Sequence, residues 1–122
     1  MTKIIVCGDR EWTNQGVIDR ELEALAIEFP KLTIIEGCAR GADSMAESWA
    51  DWYEVPIIHR PADWDRYGKA AGPIRNRAML DEGPDLVVAF HRNLNKSRGT
   101  RNMVEIARAA GVPVRLFSGV FP

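Results

Sequence analysis

Leu32-Thr33-Ile34-Ile35-Glu36-Gly37-Cys38-Ala39-Arg40-Gly41-Ala42-Asp43 reads as a strand, a glycine turn and the first residues of a helix. The β-branched run at its start suits a buried strand. Glycines then let backbone approach a neighbour closely, and the first N–H groups of the helix would point into the turn with the positive end of the macrodipole behind them. Such a turn suits an anion, most simply a phosphate. It equally suits an ordinary tight strand-to-helix connection in which Asp43 is a first-turn carboxylate, and this segment alone leaves both readings open.

The same alternation continues on either side. Residues 3–7 form a short apolar run ended by Gly8-Asp9, a buried strand. Val17, Ile18, Leu22, Leu25, Ala26 and Phe29 recur near every 3.6 residues, which predicts a helix with Thr13 or Asn14 as N-cap and an end before Pro30. Met45, Ala46, Trp49, Trp52 and Tyr53 give the next helix an apolar face, and residues 56–59 read as a third, shorter strand. Between residues 60 and 72 the period is lost, so the longest irregular loop is expected there, followed by a short helix over 74–80. Residues 85–90 are the clearest strand. A polar stretch, 91–98, leads to a helix from about 100 to 110 that Gly111 closes at C′, and 112–117 make the last strand.

Strands that alternate with helices and read as continuous apolar runs imply a parallel sheet covered on both faces. The expected fold class is α/β: one Rossmann-like three-layer domain over residues 1–122, with a five-stranded parallel sheet in the order 3-2-1-4-5. The order reverses between the first and fourth strands, so ligands are expected beyond the carboxyl ends of those strands. The loops there are 8–13, 37–43 and 91–100, with 60–73 close enough to cover them.

Composition narrows the class. The chain has 46% apolar and 27% charged residues, a globular balance, and no apolar run approaches membrane-spanning length. Met1-Thr2-Lys3 leads straight into a strand, leaving no room for a signal peptide, so a cytoplasmic location and no membrane partner are expected. Cys7 and Cys38 show neither a disulfide framework nor a metal spacing, and His59 and His91 stand apart from them in sequence; reduced thiols, no metal and no cofactor are expected. The net charge of −1 is uneven, −6 over residues 1–59 and +5 over 60–122. A near-neutral chain lacks the broad footprint of a non-specific nucleic-acid binder, and a small anionic ligand fits better.

Several residues carry possible chemistry. Gly8, Asp9, Arg10 and Trp12 stand in the first loop, where the indole would stack on a base or staple the first helix, and Asp9 would face a ligand or pair with Arg10. In the second loop Gly37, Arg40, Gly41 and Asp43 are candidates, and at the last helix start Arg98, Gly99 and Thr100 offer a second set of N–H groups and a hydroxyl. In Pro61-Ala62-Asp63-Trp64-Asp65 two carboxylates flank an indole, a set able to grip a ribose, stack a base or move protons, or simply to plug the core. Arg75 and Arg77, two apart, cannot share a helical face, so only one is expected in the site. Neither Ser44 nor Cys38 has a histidine nearby in sequence to activate it.

Taken together, Ile5-Val6-Cys7-Gly8-Asp9-Arg10-Glu11-Trp12, Gly37-Cys38-Ala39-Arg40-Gly41-Ala42-Asp43, Pro61-Ala62-Asp63-Trp64-Asp65, Ala71-Gly72-Pro73-Ile74-Arg75-Asn76-Arg77-Ala78-Met79 and Arg98-Gly99-Thr100 resemble the SLOG superfamily of Rossmann-like nucleotide-binding proteins, most closely its small YspA-like branch of bacterial and phage proteins. The resemblance implies a nucleotide or nucleotide-derived ligand, with Arg77 as the inward cation, and a homodimer to which the four tryptophans would lend an interface. Two related branches pull in different directions. DprA-like proteins have a similar Ala-Arg-Gly-x-Asp loop and Arg-Asn-Arg segment and bind single-stranded DNA, which near-neutral charge disfavours here. The LOG phosphoribohydrolases cleave a base from a nucleoside monophosphate with an arginine resembling Arg77 and a glutamate three residues after the Gly-Thr threonine; here that position is Met103, and Glu105 lies on another face of the helix. Their Pro-Gly-Gly is replaced by Asn95-Lys96-Ser97-Arg98, which would shift phosphate binding toward side-chain cations. The preferred expectation is therefore a binding or sensing module, the alternative an N-glycosidase in which Asp43, Asp63 or Asp65 stands in for the missing glutamate beside Arg77.

Overall fold

The computed structural model describes residues 1–92 and 97–118. Five strands, β1 (Thr2–Gly8), β2 (Leu32–Glu36), β3 (Ile57–His59), β4 (Leu86–Phe90) and β5 (Val114–Phe117), form one sheet in the order β3-β2-β1-β4-β5. Every pairing is parallel. Helices α1 (Gln15–Glu28), α2 (Ala42–Trp52), α4 (Ala71–Asp81) and α5 (Arg98–Ala109) make the crossovers, joined by the short α3 (Trp64–Tyr67). The α/β fold, strand number and strand order are those the hydrophobic pattern predicts. No helix among the described residues is long and apolar enough to cross a membrane.

Two apolar layers explain why the central strands are apolar at every position. Side chains alternate across a strand. Ile4, Val6, Ile34, Val88 and Phe90 face α1 and α2, whereas Ile5, Cys7, Ile35, Val87 and Ala89 face α4 and α5. Asn14 is the cap of α1, its Oδ1 accepting the Val17 N–H at 3.2 Å. Gly111, with φ of 77°, follows the end of α5 as expected.

Residues 60–72 depart from the irregular loop expected there. Asp63 accepts the Arg66 N–H at 3.2 Å and caps α3, a 3₁₀ turn follows over Gly68–Ala70, and α4 begins at Ala71, three residues earlier than the apolar period suggests. These turns are too short and too exposed to carry an apolar stripe, so periodicity has nothing to register. The Asn95-Lys96 part of the expected phosphate loop lies outside the described residues.

Candidate functional site

Where the strand order reverses, the described residues of β1 and β4 approach closely at the carboxyl edge of the sheet. The Asp9 N–H donates to the Phe90 carbonyl at 2.8 Å, and a Cβ on Gly8 would lie 2.2 Å from that same oxygen. Trp12 is 3% exposed, packs edge-on against Phe90 with centroids 5.7 Å apart, and donates its indole N–H to the Asn14 carbonyl at 2.9 Å. It is a staple, and its ring is not at the surface. Gly41 also permits a close approach: at φ of 73°, its missing Cβ leaves room for the Asp9 and Arg10 carbonyls, which a side chain would meet at 2.4 and 2.5 Å. Asp9 does not pair with Arg10; its Oδ1 accepts the Glu11 N–H, and its Oδ2 lies 3.6 Å from Arg92 Nε.

The turn after β2 supplies its own anions. The Gly37 N–H donates to Asp43 Oδ2 at 3.0 Å, Ala39 N–H reaches the same oxygen at 3.4 Å, and Cys38 N–H donates to Glu36 Oε2 at 2.7 Å. Three successive N–H groups of the turn ahead of α2 are thus satisfied from within. Asp43, 5% exposed, supports the turn from beneath, and burial pushes its carboxyl up to about 7 against the opposing pull of Arg75. Of the two readings of this motif, the geometry is that of a tight connection organised by Asp43.

What remains open is a cleft of about 310 Å³ beside this turn, lined by Arg10, Arg40, Arg75 and Trp64 together with Gly37, Cys38, Ala39, Pro61 and Ala62. It lies over the loops that follow β1, β2 and β3, displaced from the β1–β4 reversal, where among the described residues Asp9 bonds to Phe90 and Trp12 packs on it. Trp64 is 46% exposed. Its ring rests on Gly72, where a Cβ would come within 3.3 Å of Cη2, and the Arg10 guanidinium lies 5.2 Å from its centroid, a cation–π pair. Arg40 pairs with exposed Glu11 at 2.6 Å.

The inward arginine is Arg75, which corrects the expectation of Arg77. Arg75 Nη1 donates to the Gly37 carbonyl at 2.9 Å, and its Nε donates to Asn76 Oδ1 at 2.9 Å. Its guanidinium fills the space a Gly37 side chain would need, at 2.2 Å from the missing Cβ. Arg77 is exposed and outside the cleft lining. The phase of α4 decides this: its buried residues are Ala71, Gly72, Asn76, Met79 and Leu80, and Arg75, four before Met79, lies beside that face. Asn76, which sequence reading passed over, is 2% exposed and also donates to the Gly99 carbonyl and to Asn102 Oδ1, both at 3.0 Å. It ties Arg75 to the start of α5.

The remaining candidates stand elsewhere. Asp63 caps α3, and Asp65 is exposed on it. Arg98 and Gly99 are exposed, while Thr100 is 3% exposed with its hydroxyl 2.8 Å from that of Ser97; none of the three lines the cleft. Met103 is fully buried in the core. The structure also joins residues that are separate in sequence: Cys38 Sγ lies 3.3 Å from Glu36 Oε1 and 3.4 Å from His59 Nδ1. Burial and Glu36 push the Cys38 thiol up to about 11.

Three comparisons bear on this arrangement. The family model described as YspA, cpYpsA-related SLOG family matches residues 2–67, the segment that carries Arg10, the Gly37–Asp43 turn and Trp64. The chain is 37% identical over 124 residues to the Gene 61 protein of Mycobacterium phage D29, with 93% of this chain and 94% of that protein covered. It also superposes on the X-ray structure of DNA processing protein A (DprA) from Streptococcus pneumoniae with a TM-score of 0.76 at 22% identity, covering 99% of this chain and 52% of that one. The chain therefore spans about half the length of that structure, and the likeness is one of fold.

Proposed function

Because the chain belongs to the YspA, cpYpsA-related SLOG family, we propose that its cleft binds a nucleotide or nucleotide-derived ligand, with phosphate on the arginines and the base against Trp64. The observation that carries this reading is the convergence of Arg10, Arg40 and Arg75 with a half-exposed indole around one cleft. Its volume is at the lower end for small-ligand sites. A guanidinium holds a phosphate bidentately, and Arg75 arrives preorganised by Gly37 and Asn76, so little further ordering is needed on binding. Because the Gly37, Cys38 and Ala39 N–H groups are already engaged, phosphate recognition in this reading rests mainly on side chains.

Binding without cleavage is the preferred form. No carboxylate is among the described residues lining the cleft, Asp43 is buried under the turn, and Met103 stands where the resemblance to the LOG phosphoribohydrolases implies a glutamate. N-glycoside cleavage would need a carboxyl group at the leaving base or the sugar.

Single-stranded DNA is a second reading, favoured by the Arg10–Trp64 pair, since a base stacks on an indole in a strand as well as in a free nucleotide. Thermal shift across nucleoside mono-, di- and triphosphates, ADP-ribose, cyclic nucleotides and a short single strand separates the readings. A ligand at a hundred times its Kd stabilises the fold by about 2.7 kcal/mol, a shift of several degrees. Stabilisation by a small nucleotide recovered intact by chromatography supports the binding module, free base in the eluate supports an N-glycosidase, and stabilisation by the single strand alone, lost steeply with salt, supports DNA. The homodimer remains part of the proposal, with Trp52, 82% exposed, and Tyr53, 50% exposed, as apolar surface for a second copy. Sedimentation of the wild type against Trp52→Ala tests it.

A further inference from the structure

We propose that Glu36, Cys38 and His59 form a binding site for a zinc-like divalent transition-metal ion at the carboxyl end of β2 and β3. The inference stands apart from what the cleft binds, since only Cys38 belongs to both.

The site is built by sheet register. Glu36 and His59 are paired neighbours across the β2–β3 ladder, which sets their side chains next to each other on one face. Cys38, two residues after Glu36, adopts φ of 58°, and this turn carries its thiol back over the Glu36 carboxylate. The result is one oxygen, one sulfur and one nitrogen around a common point: Oε1 to Nδ1 is 2.5 Å, Oε1 to Sγ 3.3 Å, and Sγ to Nδ1 3.4 Å. In a tetrahedral zinc site with metal–oxygen and metal–nitrogen bonds of about 2.0–2.1 Å and a metal–sulfur bond of about 2.3 Å, the ligand atoms stand roughly 3.3–3.6 Å apart. The two sulfur edges are near those lengths already. The third opens when the His59 ring, whose side chain is 46% exposed, moves outward by under about 1 Å.

A proton relay explains the same atoms less well. In a Cys–His–carboxylate relay the acid orients one ring nitrogen and the thiol faces the other. Here the carboxylate oxygen and the thiol both approach Nδ1. Coordination also meets a charge requirement: Glu36 is fully buried, and the only basic side chain within ion-pair distance among the described residues is His59. A divalent ion bound by carboxylate, thiolate and neutral imidazole makes a site of zero net charge, with the thiol proton released to water. Cys38 is exposed, which gives the ion a path in, and three protein ligands leave a fourth position for water.

Cobalt(II), titrated into the 122-residue chain under reducing conditions, is the probe. The expected result is a thiolate-to-cobalt charge-transfer band with the intense visible bands of a tetrahedral ion, saturating at one equivalent and displaced by zinc. Cys38→Ser removes the charge-transfer band, whereas Cys7→Ser, at a buried thiol outside the cluster, keeps it. His59→Gln and Glu36→Gln each weaken binding by about a hundredfold or more, at or beyond the upper end of what second-sphere losses cost. Circular dichroism of the metal-free variants confirms folding, and if Glu36→Gln unfolds, the half-exposed His59→Gln still decides. A spectrum without tetrahedral bands at excess cobalt overturns the proposal and leaves the three residues as a hydrogen-bonded clasp, as does a charge-transfer band that survives Cys38→Ser.

Discussion

Two tryptophans stand near the carboxyl edge of the sheet, and the chain uses them in opposite ways. Trp12 follows β1 and is buried between Phe90 and the start of α1; Trp64 follows β3 and lies at the mouth of the cleft, 3% and 46% exposed respectively. The first loop is held to the second through Gly41 and Ala42, with the Ala42 N–H donating to the Asp9 carbonyl at 3.2 Å, so its indole has a core to enter. The second indole sits on a four-residue helix with no buried residue of its own. Burial makes one ring structural. Support from Gly72 beneath and Arg10 beside it makes the other a platform.

Removing each ring in turn tests that division. Trp12→Ala should have the largest effect on stability, about 3–5 kcal/mol read as a lowered melting temperature. A loss under about 1 kcal/mol would mean that Trp12 is not a core residue.

The turn between the two rings predicts a pH dependence. Asp43 is raised from 3.8 to about 7 by burial, so its neutral form is favoured in the fold. The stability contributed by its bound proton is full below the unfolded value and is lost as pH rises toward about 7, flattening above it. Asp43→Asn should remove that slope, worth up to a few kcal/mol, in melts run from pH 4 to 8. A slope that survives the substitution assigns the proton elsewhere.

Smaller effects are expected on the ligand side. Arg75→Ala should weaken nucleotide binding by roughly tenfold to a hundredfold, the range of a lost charge-assisted hydrogen bond to phosphate. Trp64→Ala should cost about tenfold, the loss of a stacking surface, with a change in stability within about 0.5 kcal/mol. If Trp64→Ala instead destabilises the fold as Trp12→Ala does, the contrast between the rings fails.

The sheet was legible because its signals are local. Apolar runs such as Leu32-Thr33-Ile34-Ile35 and Leu86-Val87-Val88-Ala89-Phe90, separated by helical periods, leave few topologies once crossovers are right-handed. The site was legible only in outline. Arg10, Gly37, Arg40 and Trp64, all candidates in the sequence, line one cleft, but the choice between Arg75 and Arg77 depends on the phase of α4. Its spacing to Met79 held the clue, and the resemblance pointed the other way. The glycine turn leaves two readings open in sequence for a different reason: the capture of its N–H groups by Asp43 and Glu36 depends on how the chain folds back. The grouping of Glu36, Cys38 and His59 has no sequence spacing to announce it, because strand register brings it together.

The most direct test of the cleft is calorimetric titration of the wild type, Arg75→Ala and Arg77→Ala with whichever nucleotide gives the largest thermal shift. The predicted result is binding by the wild type, a Kd at least about tenfold weaker for Arg75→Ala, and an unchanged Kd for Arg77→Ala. Absence of nucleotide binding by the wild type, or a loss that follows Arg77 and spares Arg75, would contradict it.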